Sequence, residues 1–299
     1  MSDLSVVIIN WNTRDLLLRC IRTIDMHKGD VQVEIVVVDN ASTDDSVESV
    51  RREYPSARVL VNDTNVGFAR ANNQGVVASS APLALLLNSD AFLTDGALQA
   101  LLEVMAASPH AALVGAHLRN ADGTFQASHT PFPNLWQEFL ILSGIGRLTH
   151  GRWYPSHAPE LNSGAQVVEY VEGACMLVRK DVYRAIGGLD EGFFMYAEEV
   201  DLCYRIRAAD WQVWYAPRAE VIHLGGGSSG KRKPQREADL YRSRVRFFRK
   251  HYGAFPALIL KAQIILLATV KTACHGVLYF ATQGRRGRRV PPLSWLFGI

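Results

Sequence analysis

The chain has 299 residues, enough for one large α/β domain or two small ones with a sizeable core. Apolar residues make up 48% and charged residues 20%, which excludes a disordered chain. The formal charge of +3 is too small to argue for a nucleic-acid partner, and none is expected.

The N-terminus, MSDLSVVIINWN, has no basic stretch and no cleavage pattern of a signal peptide, so a cytoplasmic location is expected. Cys20, Cys175, Cys203 and Cys274 lie far apart with no CxxC spacing. They resemble neither a zinc site nor a disulfide framework, and fit a reducing compartment.

Residues 5–9 (SVVII) and 33–38 (VEIVVV) are β-branched runs without polar alternation, the pattern of strands buried on both faces of a parallel sheet. Leu16, Leu17, Cys20, Ile21 and Ile24 between them have helical spacing. A second helix follows in ASTDDSVESVRREY, with Ser42 or Thr43 as N-cap. A strand near 58–61, a helix near 67–79, a strand at 83–87, a helix near 96–107 and a strand near 112–116 continue the alternation. It predicts a doubly wound, mostly parallel α/β sheet flanked by helices.

Residues 119–165 break the pattern and read as long loops with one short helix near 135–142, a tract suited to acceptor specificity. Strand character returns at 167–179, then a helix at 199–209, a strand at 212–215 and a charged helix at 236–251. Residues 257–281 are apolar but interrupted by Lys261, Lys271 and His275. That favours a helix lying in a membrane interface or docked on a partner, a second copy of the chain included, with plain core packing as the alternative. Basic residues crowd this end, at Lys231, Arg232, Lys233, from Arg242 to Lys250, and at Arg285, Arg286, Arg288 and Arg289. They suit anionic headgroups or a phosphate-bearing acceptor, or simply a solvated surface.

Ligands of open α/β sheets bind where the strands end. Here three apolar runs stop at clusters of Asn and Asp: Asn10-Trp11-Asn12, Asp39-Asn40-Ala41-Ser42 and Asn88-Ser89-Asp90. Asn and Asp favour turns anyway, but three clusters at one edge point to a polar ligand. No GxGxxG follows the first strand, which disfavours a dinucleotide oxidoreductase. Asp90 at a strand end can hold Mg²⁺ or Mn²⁺, with phosphate oxygens completing the shell. Gly67, in NVGFARANN, permits close backbone approach at a helix start, and its Asn neighbours can bond a ligand. The segment GGLDEGFFMYAEEVDLCY carries an aromatic run into Glu198, Glu199 and Asp201; the helix dipole explains part of that acidity, and a walled carboxylate facing substrate is the functional reading. His223 precedes a glycine-rich stretch.

Taken together, SVVIINWN at 5–12, VVVDNASTDDS at 36–46, NVGFARANN at 65–73, LLLNSD at 85–90, EGACMLVRKDVYRAIGGLDEGFFMYAEEVDLCYRIR at 172–207 and His223 resemble the inverting family 2 glycosyltransferases of the GT-A fold, in their rhamnosyltransferase-like branch. The resemblance implies that Asn12 and Asp39 bind the nucleotide, that Asp90 and His223 hold the metal or diphosphate, and that Glu199, with Glu198 beside it, supplies the base. Asn88 stands where the general motif has Asp, as is common in this branch, and Glu199 where most members have Asp. It further implies a nucleotide-diphosphate sugar donor, rhamnose being one candidate sugar, and a glycan or lipid-linked acceptor in cell-surface polysaccharide synthesis at the inner face of the cytoplasmic membrane. The expected organisation is a transferase domain at 1–230, its nucleotide-binding half at 1–118 and its acceptor half at 119–230, with a helical extension at 231–299. A polyprenyl-phosphate sugar synthase and a non-catalytic nucleotide-sugar-binding protein remain alternatives; a nucleotidyltransferase would not need the late acidic pair with His223.

Overall fold

The computed structural model describes residues 2–148, 164–226 and 233–281. The loop tract 149–163, most of the glycine-rich stretch, Lys231, Arg232 and the arginine cluster at 285–289 lie outside the described residues. Two compact units are present, Met1–Phe132 with Ser156–Lys231 and Pro133–Pro155 with Arg232–Ile299.

In the first unit, β1 (Leu4–Asn10) is buried along its whole length, as its unbroken apolar run requires. It lies between β2 (Val33–Asp39) and β4 (Leu83–Asn88), and β3 (Arg58–Val61) pairs with β2, all four parallel. The register aligns Asn10 with Asp39 and Ile9 with Asn88, so the three polar clusters share one edge. Beyond β4 the sheet becomes mixed. The strand β10 (Cys175–Arg179) runs antiparallel between β4 and β6 (Ala111–Arg119), and β11 (Gln212–His223) pairs parallel with β6.

Helices cover both faces. Leu17, Cys20 and Ile21 of α1 (Arg14–His27) share one core with Leu98 and Leu101 of α4 (Ala97–Ala107). Val76 of α3 (Phe68–Ala78) shares the other with Leu202, Cys203 and Ile206 of α7 (Glu198–Ala208). This is the α/β architecture expected from the alternation of elements. The helix α2 (Ser46–Glu53) starts later than Ser42 or Thr43, and its N-cap Asp45 makes no side-chain cap bond. Ser42 and Thr43 bond to Asn10, Asn12 and Asp39 instead.

Two departures from the sequence pattern place the site. The strand predicted at 212–215 continues to His223 through a register shift between Ala216 and Glu220, a bulge that accommodates Pro217. Its far end pairs antiparallel with β5 (Ala91–Leu93), a strand too short to show any period. That pairing sets His223 opposite Ala91, one residue from Asp90. Short strands β7 (His129–Thr130), β8 (Gln166–Val168) and β9 (Tyr170–Val171) and helix α6 (Lys180–Ala185) complete the unit.

The second unit is helical: α5 (Leu135–Ser143), a 3₁₀ turn at Ile145–Leu148, α8 (Lys233–His251) and α9 (Ala254–Ala281). Asn134 caps α5, its side chain accepting from the backbone N–H of Trp136 and Gln137. The guanidinium of Arg244 on α8 reaches the buried carboxylate of Glu138 on α5 at 2.7 Å. On α9, Ala257, Leu260 and Ile264 are buried at helical spacing. Phe255, Leu258, Ile265, Leu266 and Val270 are exposed.

Candidate active site

The ends of β1 and β2 form a closed hydrogen-bond network. Asn10 Nδ2 donates to Asp39 Oδ1 at 2.7 Å and to Ser42 Oγ at 3.0 Å. Its Oδ1 accepts from Thr13 Oγ1 at 2.7 Å. The other oxygen of Asp39 accepts from the Ser42 N–H at 2.8 Å. Asn12, at φ 54°, accepts from the Thr43 N–H at 2.7 Å, and Ala41 and Asp45 are also left-handed, at φ 61° and 58°. Such conformations persist only where their surroundings fix them. Asn40 donates to the Gly67 carbonyl at 3.3 Å and accepts from Asn62 at 2.9 Å. Ser89 reaches the same network through Thr13, with the two hydroxyls 2.9 Å apart.

Asn10 and Asn40 were expected among the donor contacts. Both are buried, and both direct amide protons to protein partners. Asn72 and Asn73 are likewise bonded within the protein. Asn72 donates to the Phe68 carbonyl at 3.0 Å. Asn73 donates to the Leu189 carbonyl at 2.9 Å and accepts from Tyr183 at 2.6 Å. Gly67, at φ 89°, is required by a close approach: a Cβ there would stand 2.7 Å from the Phe194 carbonyl oxygen. The neighbouring Phe68 N–H donates to that same oxygen at 2.7 Å.

At the end of β4, His223 Nε2 lies 3.3 Å from Asp90 Oδ1 and 3.4 Å from Asn88 Nδ2. On the ring's other side Nδ1 lies 2.8 Å from Gln126 Oε1. Asn88 Oδ1 is buried with no hydrogen-bond partner. A carboxylate, an imidazole nitrogen and an unsatisfied amide oxygen so placed fit a hard divalent cation. Among the described residues no group of three or more His, Cys, Asp or Glu side chains gathers. The protein thus offers Asp90 and His223, and a diphosphate would have to contribute further oxygens.

The acidic pair joins this edge through β10. The Asn88 N–H donates to the Ala174 carbonyl at 3.0 Å, and the preceding Gly173 packs on Glu199, whose Cβ would be 3.5 Å from a Cβ added there. Glu198 opens α7 and is buried with Oε2 unpartnered; Glu199 follows it in the first turn and is partly exposed. Burial raises Glu199 to about 7. Burial, and secondarily the charge of Glu199, hold Glu198 well above the ordinary carboxylate range. The two preceding residues, Tyr196 and Ala197, are both left-handed at φ 72° and 63°, and the Tyr196 hydroxyl is buried without a partner. Asp201, the third acid, is paired with Arg205 at 2.7 Å, and Arg205 also holds the carbonyls of Ile186 and Gly188. It supports the loop ahead of the helix.

The structure therefore groups Asn10, Asn12, Asp39, Asn40 and Gly67 on one side, Asn88, Asp90 and His223 in the middle, and Glu198 and Glu199 beyond Gly173. Thr13, Gln126, Gly173 and Tyr196 were not singled out from the sequence. Thr13 follows the first cluster directly and could have been included; Gln126 lies in a tract whose pattern says only loop.

Residues 5–187 match the family described as Glycosyl transferase family 2. An N-acetylglucosaminyl-diphospho-decaprenol L-rhamnosyltransferase of Mycobacterium tuberculosis is 30% identical over 216 residues, 67% of this chain and 69% of that one. The mannosyltransferase PcManGT of Pyrobaculum calidifontis, solved with GDP-Man and Mn²⁺, superposes with a TM-score of 0.55 at 15% identity, covering 99% of this chain and 84% of that one. GalNAc-T7, solved with UDP, GalNAc and Mn²⁺, gives a TM-score of 0.61 at 15% identity, over 83% of this chain but only 48% of that one. These two share the GT-A fold with the chain, whose sequence match to the family model places it beyond the level of fold: it belongs to glycosyl transferase family 2.

Proposed function

We propose that the chain is a metal-dependent inverting transferase that moves rhamnose or a hexose from a nucleoside-diphosphate donor to a hydroxyl of a glycan or lipid-linked acceptor, in cell-surface polysaccharide synthesis. The observation that carries the reading is the pairing of Asp90 with His223 beyond the end of β4, where Asn88 bonds to Ala174 and the adjoining Gly173 lies against Glu199. The mycobacterial relative supports rhamnose and a lipid-linked acceptor.

Asp39 and Asn12 orient the nucleotide, and Asn10 and Ser42 hold Asp39 in place. Mg²⁺ or Mn²⁺ held by Asp90 and His223 would neutralise charge on the departing diphosphate. Glu199 takes the proton of the acceptor hydroxyl as that oxygen attacks the anomeric carbon opposite the leaving group, which inverts the centre in one step. Glu198, kept neutral by its burial and by its neighbour, leaves Glu199 as the proton acceptor. Asp90→Ala is expected to abolish transfer and metal-supported donor binding while the fold persists. Full activity in EDTA, with Asp90→Ala unimpaired, overturns the reading.

A membrane role belongs to α9. The segment Ala254–Cys274 has a mean hydropathy of 1.7 and only 17% of its apolar window is buried. Its exposed residues Phe255, Leu258, Ile265, Leu266 and Val270 match an interfacial helix, with Arg249 and Lys250 just before it. We place this face on the cytoplasmic leaflet, where a lipid-linked acceptor would lie. A Leu258→Glu, Leu266→Glu double variant should lose sedimentation with anionic vesicles and keep donor hydrolysis; unchanged sedimentation refutes the assignment.

A further inference from the structure

We infer that Gln126 is a positioning residue for His223, holding the imidazole with Nε2 turned toward Asp90. The inference rests on the metal-assisted transfer proposed above and gives the loop tract after β6 a part in it.

The Gln126 side chain is fixed from several directions. Its Nε2 donates to Asn120 Oδ1 at 3.1 Å and to the His223 carbonyl at 3.4 Å. The Asn120 amide is itself oriented, donating from Nδ2 to Thr124 Oγ1 at 3.0 Å and to the Phe125 carbonyl at 3.1 Å. A rotated Gln126 amide would point its oxygen at two acceptors, so the oxygen must be the atom that faces His223 Nδ1 at 2.8 Å. An amide oxygen only accepts, so Nδ1 carries the hydrogen. In the neutral ring this leaves the lone pair on Nε2, the atom 3.3 Å from Asp90 Oδ1. A lone pair and a carboxylate oxygen facing each other at that distance suit a cation shared between them. A partner on the far nitrogen fixes both the tautomer and the plane of a ligating histidine.

The backbone explains how a loop residue comes to do this. After β6 the chain turns at Asn120–Thr124, with the Asn120 N–H donating to the Thr124 carbonyl at 2.9 Å. It then returns, and the Gln126 N–H donates to the Leu118 carbonyl at 3.1 Å. Since Leu118 and Arg119 pair with Val221 and Ile222, the returning strand of this turn runs past His223.

The test measures binding of Mn²⁺ alone to the full chain by water-proton relaxation, together with the nitrogen spectrum of His223 in metal-free protein. Gln126→Leu removes the acceptor and should weaken Mn²⁺ about 10–100-fold. Gln126→Glu keeps an acceptor oxygen and should stay near the parent value. The metal-free parent and Gln126→Glu should show hydrogen on Nδ1, and Gln126→Leu should lose that preference. If His223→Ala weakens Mn²⁺ while Gln126→Leu does not, the positioning role is wrong and the metal reading stands. If His223→Ala changes nothing, the metal reading itself fails. Should Gln126→Leu not fold, hydrogen on Nε2 in the parent spectrum overturns the inference and hydrogen on Nδ1 upholds it.

Discussion

At the ends of β1 and β2 the polar side chains bond one another; at the start of α7 they are left with atoms to spare. Asn10 and Asp39 are almost fully buried, at 0% and 1% exposure, and their side-chain atoms meet partners within 3.0 Å. Glu198 Oε2 and the Tyr196 hydroxyl are buried too, and have none. Both regions contain left-handed non-glycine residues, so both are locally constrained. The difference lies in what satisfies them. The cluster at the ends of β1 and β2, proposed to bind the nucleotide, is held by bonds among its own side chains. The start of α7, proposed to be the catalytic side, carries unsatisfied polar atoms, each a cost to the protein that a bound hydroxyl would relieve.

The largest effect that would test this contrast is on turnover. Glu199→Gln keeps the shape and removes the base, so turnover should fall about 10²–10⁴-fold with donor affinity nearly unchanged. Glu199 can accept a proton only when ionised, and burial raises it to about 7. Turnover of the parent enzyme should therefore climb as pH rises through that region, and the acid limb should vanish from the residual activity of Glu199→Gln. Glu198→Gln should cost less; if it is the more damaging change, the base is Glu198 and the roles of the pair are reversed.

On the nucleotide side the expected loss is in folding stability. Asn10→Ala strips the buried Asp39 carboxylate of its 2.7 Å donor, which should cost about 1–3 kcal/mol in denaturant unfolding. Donor affinity should fall as well, since Asp39 loses its orientation. An unchanged midpoint would show that the network is not what holds these strand ends. The smallest effect belongs to Tyr196→Phe. It removes a buried hydroxyl with no protein partner, so stability should hold or rise slightly rather than fall. A large destabilisation there would erase the contrast between the two regions.

Much of the fold was legible because buried parallel strands read as unbroken apolar runs, and SVVII, VEIVVV and ALLL do so without ambiguity. The polar clusters ending those runs were legible for the same reason. Roles within the clusters were not. Nothing in the sequence distinguishes Asn10, which supports Asp39, from Asn12, one turn of backbone further on; only register and burial separate them. His223 stood out as a residue, yet its placement beside Asp90 depends on a three-residue strand and on a bulge at Pro217, both properties of tertiary pairing. Gln126 was hidden because a loop has no period, and its significance lies in two amides whose orientations determine one another.

The contact of Gly67 with Phe194 bears on how this enzyme could be recombined. Exchanging acceptor halves between relatives to change specificity places the cut after β6, where the chain leaves the nucleotide-binding half. Here that cut would separate the start of α3 from the segment that closes over it, since Phe68 bonds to the Phe194 carbonyl and Asn73 to Leu189 across the seam. A chimera that keeps Gly67 but imports a differently shaped 189–194 segment would disturb the donor floor and the approach to Glu199 in the same stroke. An exchange that keeps 65–73 and 189–194 from one parent leaves the Gly67 seam intact.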